Sequence, residues 1–148
     1  MPPIETYQFS HRDTVRNYVL EVPAFWANYS DDERRLMTNG IGVDWMPERM
    51  RDLLERVSGF LPAADVHDFE WEVLGRAFRN HRFGRREYQW LIEASDKRFY
   101  RNCRAIMRQD GDTLFRHPFR FLRRRRIAKL FYRAVRLGAI AKTAERRK

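Results

Sequence analysis

The sequence predicts an all-α fold. Two observations carry that expectation. Three long stretches, 62–74, 86–109 and 118–141, space their apolar residues at helical intervals, and Pro or Gly punctuates the chain between them. No stretch reads as a strong strand and no internal repeat is evident. With 148 residues, 43% hydrophobic and 14% aromatic, the chain is long enough to bury one core without metal or disulfide staples and too rich in aromatics for a disordered polymer.

The elements follow in order. His11 to Leu20 is read as a short helix, interrupted at Pro23, and Phe25, Trp26 and Tyr29 as aromatic packing against the body. Ser30 followed by Asp31, Asp32 and Glu33 is a helix start, because acids in the first turn face the positive end of the dipole. That helix is expected to stop near Thr38, where Asn39-Gly40-Ile41-Gly42 forms a loop. Pro47 opens a helix with Met50, Leu53, Leu54 and Val57 on one side, ended by Ser58-Gly59. Pro62 starts another that ends near Gly75, and Arg76 to Arg86 reads as a basic loop with Gly84 as breaker. Arg86 to Gln109 is the longest helix of the body, closed by Asp110-Gly111-Asp112. Pro118 to Ala141 carries Phe119, Leu122, Ile127, Leu130, Phe131, Ala134, Leu137 and Ala141 at helical spacing, with arginines filling the rest of the wheel.

Charge divides the chain at about residue 111. Of the net +10, residues 112–148 hold 13 Arg/Lys against Asp112 and Glu145, while residues 1–111 hold 17 basic and 18 acidic side chains. A near-neutral helical domain, 1–111, is thus followed by a basic amphipathic segment, 112–148, suited to phosphate on nucleic acid or anionic lipid. The single Cys103 excludes an internal disulfide framework and a four-cysteine zinc site. No run of eighteen apolar residues and no signal-peptide pattern occurs, so a cytoplasmic or virion-associated location is expected.

Polar residues on faces that should be buried carry the chemistry. Ala63/Ala64, His67, Trp71 and Leu74 form one inward stripe, and Ile92, Asp96, Phe99, Cys103 and Ile106/Met107 another. A buried carboxylate needs a partner. If the two helices pack antiparallel, His67 donating a ring N–H to Asp96 supplies it and leaves the other nitrogen as a general base. Asp68, about 100° around the helix, can reach an ion beside the histidine. The plainer alternatives are a satisfied core histidine, an Asp96 salt bridge to Arg98 or Arg101, and a loop that is only a turn. His11, His67, His81 and His117 lie too far apart to form a local zinc motif.

Asn39-Gly40-Ile41-Gly42, then Ala63-Ala64-Asp65-Val66-His67-Asp68, then Ser95-Asp96 through Cys103, taken in that order, resemble the secreted phospholipase A2 superfamily, including its bacterial and prophage-encoded members. The match covers roughly residues 36–108. The resemblance implies a phospholipase A2-like core of two antiparallel catalytic helices and a calcium-type loop. It implies that His67 activates water for attack on the sn-2 ester, with Asp96 orienting it and Trp71 supporting Asp96. It also implies that Asp68 and carbonyls of Asn39, Gly40 and Gly42 hold Ca²⁺. Ile41 and Ala64 stand where the family has its loop-to-helix disulfide, and Ser95 where a cysteine is common. These losses fit a reducing compartment. Asp44 is a further candidate ligand or a solvated loop acid.

The basic helix has three readings. Its apolar stripe packs on the body and the arginines are solvated, or it lies on a phospholipid membrane, or it binds nucleic acid or a protein partner. Arg123, Arg124, Arg125, Arg126, Lys129 and Arg133 are the candidate membrane or phosphate contacts. Two functions are thus expected as alternatives. One is a Ca²⁺-dependent hydrolase of phospholipid esters. The other is a non-catalytic structural or adaptor relative working through its arginine-rich helix.

Overall fold

The computed structural model describes residues 5–10, 17–38 and 59–145, with side chains over 18–38 and 59–138. Over these residues the chain is predominantly helical. The Asn39–Gly42 loop, Asp44 and the Pro47 helix lie outside the described residues.

The helix expected over His11 to Leu20 is corrected. Glu5–Ser10 (β1) and Asn17–Val22 (β2) pair antiparallel, with Glu5 opposite Val22 and Ser10 opposite Asn17. The physical reason is a period of two: Tyr18, Leu20 and Val22 are buried while Val19 is half exposed. The edge of β2 not paired with β1 is closed by side chains. Val19 N–H donates to Gln109 Oε1 and its carbonyl accepts from Gln109 Nε2, each at 2.9 Å. Glu21 repeats the pattern with Asn102, each bond 2.8 Å. Two primary amides one heptad apart on a helix thus replace a third strand and satisfy the open edge.

A single 3-10 turn, Ala24–Asn28, follows Pro23 and buries Trp26. Trp26, Phe25 and Tyr29 surround Phe69 with ring centroids 4.8, 6.0 and 5.2 Å away, so the expected aromatic packing is present. The first helix, α1, spans Asp31–Thr38. Its start is a capping box: Glu33 accepts from the Ser30 N–H at 2.7 Å, and Ser30 Oγ accepts from the Glu33 N–H at 3.3 Å.

Leu61–Arg79 (α2) and Arg85–Gln109 (α3) form an antiparallel hairpin. Gly59, at φ 65, turns the chain into α2. Helix α2 runs four residues past Gly75, contrary to expectation. A helical glycine costs only about 1 kcal/mol. Here Arg76 pairs with Glu72 at 2.6 Å, and Phe78 stacks on Tyr88 at 4.5 Å, which holds the last turn. Helix α3 ends as expected, with Gly111 at φ 72 and the Asp112 N–H bonded to Met107 O at 2.9 Å.

Pro118–Glu145 (α4) packs antiparallel on α3 through Phe99–Phe131, Tyr100–Tyr132 and the Arg124 ion pairs described next. The expected stripe on α4 holds in part: Ile127 and Phe131 pack on the body, and its other large apolar residues do not. The face on the body carries Phe121, Arg124, Ala128, Phe131 and Val135. Phe119, Leu122, Leu130 and Leu137 are instead 88, 43, 63 and 67% exposed. Arg124 sets this rotation. It is buried between Asp110 (2.7 Å) and Asp112 at the end of α3, with its guanidinium 5.0 Å from the Phe60 ring. An arginine held by two carboxylates and a ring stays in the interface.

Candidate active site

Helical spacing on α2 places His67, Trp71 and Leu74 on one side, and spacing on α3 places Ile92, Asp96, Phe99 and Cys103 opposite them. The hairpin brings the two stripes together. His67 is 6% exposed and Asp96 0%. His67 Nε2 donates to Asp96 Oδ1 at 2.9 Å. Trp71 Nε1 donates to the same oxygen at 3.2 Å, so Trp71 holds Asp96 as expected. The imidazole lies between the rings of Trp71 and Phe99, at 5.1 and 5.2 Å.

The other carboxylate oxygen has a partner that the sequence did not reveal. Arg136, on α4, donates to Asp96 Oδ2 at 3.2 Å and lies 3.6 Å from Glu93. Neither arginine suggested for Asp96 serves it. Arg98 forms a buried pair with Glu70, and Arg101 bonds Glu21 at 2.7 Å. Nothing in the helical wheel of α4 distinguishes Arg136 from its basic neighbours, because its role depends on how α4 docks. Glu70 and Arg98 carried one signal: each is a charge flanking an inward residue on its own helix.

Asp68 is less buried than His67, and its Oδ1 lies 3.5 Å from His67 Nδ1. The imidazole therefore sits between two carboxylates, one on each nitrogen. Burial alone would pull its pKa down, but hydrogen bonds and charge from Asp68 and Asp96 outweigh burial and push it up from 6.5 to about 9. The two carboxylates thus favour the protonated ring. Cys103, on the same α3 stripe, is free and fully buried, and burial pushes its thiol far above the ordinary range, so it is inert as a nucleophile.

Among the described residues, no three His, Cys, Asp or Glu side chains gather as a metal-holding group. Asp68 brings one hard-oxygen donor, of the type Ca²⁺ prefers, to the edge of the dyad. The other expected ligands, Asn39, Gly40 and Gly42, lie outside the described residues. Of the basic side chains named for phosphate contact, Arg123, Arg125, Arg126, Lys129 and Arg133 are exposed and make no carboxylate pair among the described residues. Arg124 is removed from that set, since its guanidinium is buried against Asp110 and Asp112. No helix of the described chain is long and apolar enough to cross a membrane. Compared with protein-family models, curated proteins and solved structures, the chain matches none.

Proposed function

We propose that this chain is a phospholipase A2-like hydrolase of phospholipid sn-2 esters, with His67 drawing a proton from water and Asp96 orienting it. The observation that supports the reading is the buried His67–Asp96 bond of 2.9 Å with the second ring nitrogen turned to Asp68. A general base needs one nitrogen fixed by an acceptor and the other open to the reacting water, and Nδ1 reaches that state once Asp68 turns to a cation. Trp71 and Arg136 hold the two oxygens of Asp96, which keeps the acceptor from rotating away. Asp68 has two uses, holding a proton on Nδ1 or holding a cation. When its charge is taken up by a cation, one cause of the raised His67 pKa is removed and the ring is freer to accept a proton. Calcium bound there, with loop carbonyls of Asn39, Gly40 and Gly42, would supply the positive charge that polarises an ester carbonyl. The test is fatty-acid release from phosphatidylglycerol vesicles in calcium and in chelator. Release that is calcium-dependent, and falls at least about 100-fold in Asp68→Asn, supports the reading. Equal release in chelator overturns the calcium role.

The second reading is a non-catalytic scaffold, a virion component among its forms, that meets a membrane, nucleic acid or protein through α4. What favours it is that each ring nitrogen of His67 faces a carboxylate, Asp96 at 2.9 Å and Asp68 at 3.5 Å, the arrangement of a self-contained internal ion group. On this reading calcium titration of the chain by calorimetry produces no heat.

A further inference from the structure

Helix α4 carries apolar residues on two opposite faces. Phe121, Phe131 and Val135 pack on the body with Ala128. On the far side, residues 119, 122, 126, 130, 133 and 137 recur at intervals of three and four and so share one face. Four of these six are large apolar side chains, all exposed: Phe119, Leu122, Leu130 and Leu137. They extend over about 27 Å of helix. Arg126 and Arg133 stand within the row, and Arg123 and Lys129 beside it. These four cations have no carboxylate partner among the described residues, whereas Arg120, Arg124 and Arg136, nearer the body, all do. Monomeric proteins seldom display so long an apolar row without a use for it.

We propose that this outer face lays α4 flat on an anionic phospholipid surface. Phe119, Leu122, Leu130 and Leu137 enter the boundary between headgroups and acyl chains, and Arg123, Arg126, Lys129 and Arg133 meet lipid phosphates. The chemistry selects this occupant. A second copy of the chain would bring the same cations against these and repel. A nucleic-acid backbone would neutralise the cations but leave the Phe and Leu side chains without an apolar environment. A lipid surface answers both, since it carries negative charge over hydrocarbon. The face opposite the lipid grips α3, so the body rides on the helix. The proposal stands whether or not the His67–Asp96 dyad turns over.

The experiment is co-sedimentation of the full chain with vesicles of ether-linked phospholipid, which has no sn-2 ester to cleave. Mixed phosphatidylglycerol–phosphatidylcholine vesicles are compared with pure phosphatidylcholine. Wild type is expected to bind the mixed vesicles at least about tenfold tighter. A Phe119→Ser/Leu130→Ser variant and an Arg126→Gln/Arg133→Gln variant are each expected to lose about tenfold or more, with unchanged circular dichroism because all four positions are exposed. The proposal is overturned if the apolar variant binds as tightly as wild type, which indicates phosphate contact alone. Tighter binding of a DNA or RNA oligonucleotide than of the mixed vesicles also overturns it. So does a wild-type dimer that the apolar variant turns to monomer while vesicles go unbound.

Discussion

Arg136 donates to Oδ2 of Asp96 at 3.2 Å, while His67 occupies Oδ1 at 2.9 Å. One carboxylate is thereby shared by three helices: α2 through His67 and Trp71, α3 through its own backbone, and α4 through Arg136. Loss of the arginine removes a cation that shares this carboxylate with the imidazole. In Arg136→Met the His67 pKa is expected to rise further, read from the pH dependence of its ring resonances by NMR. Arg136 is about one-third exposed, so the cost in stability is only about 1 kcal/mol. An unchanged His67 titration would show that Arg136 does not act on the dyad.

The raised His67 pKa makes stability depend on pH. The folded ring binds its proton more tightly than the unfolded one, at about 9 against 6.5. The stabilisation is fully present below pH 6.5 and is lost as pH rises through 9, and its scale is on the order of 3 kcal/mol. Denaturation in urea with chelator present is expected to show the gap between wild type and His67→Gln shrinking from pH 6 to pH 9.5. A gap that is constant over this range contradicts a charged, carboxylate-bound imidazole.

The amides that close β2 make a prediction of their own. Asn102 is fully buried and holds both backbone groups of Glu21. Asn102→Leu is expected to lower stability by about 2–4 kcal/mol, because two part-buried backbone groups lose their partners. Gln109→Leu is expected to cost less, since its bonds to Val19 are exposed. Urea midpoints of the two variants check the order, and equal losses would contradict it.

Arg124 is a pin between α3 and α4. Removing it leaves Asp112 with Arg120 alone and Asp110 buried without its arginine. Arg124→Leu is expected to destabilise by about 3–5 kcal/mol and to speed hydrogen exchange in α4 ahead of α2 and α3. Uniform exchange across the three helices would show that this pin does not hold α4.

What the sequence made legible was local. The helix start at Ser30, the Asp110-Gly111 stop and the facing stripes of His67, Trp71 and Asp96 each follow from spacing within one element, and the described chain is predominantly helical, as expected. The features that escaped depend on how elements meet. Helix α4 has aromatic and aliphatic residues on both sides, so periodicity could not decide between Phe119 and Phe121, and an ion pair with Asp110 and Asp112 made the choice. Asn102 and Gln109 look like ordinary surface amides until β2 lies beside them. The alternation of Tyr18, Leu20 and Val22 covers only five residues, too few for a period of two to stand out from a helical spacing over His11 to Leu20.

The proposed function requires that His67, fixed by Asp96, activate water for ester cleavage. Its most direct test is the rate of fatty-acid release from ester-linked phosphatidylglycerol vesicles with calcium, wild type against His67→Gln. Release by wild type, with a loss of at least about 100-fold in the variant and an intact helical circular dichroism spectrum, is the expected result. Equal release by the two proteins, or none by wild type, contradicts it.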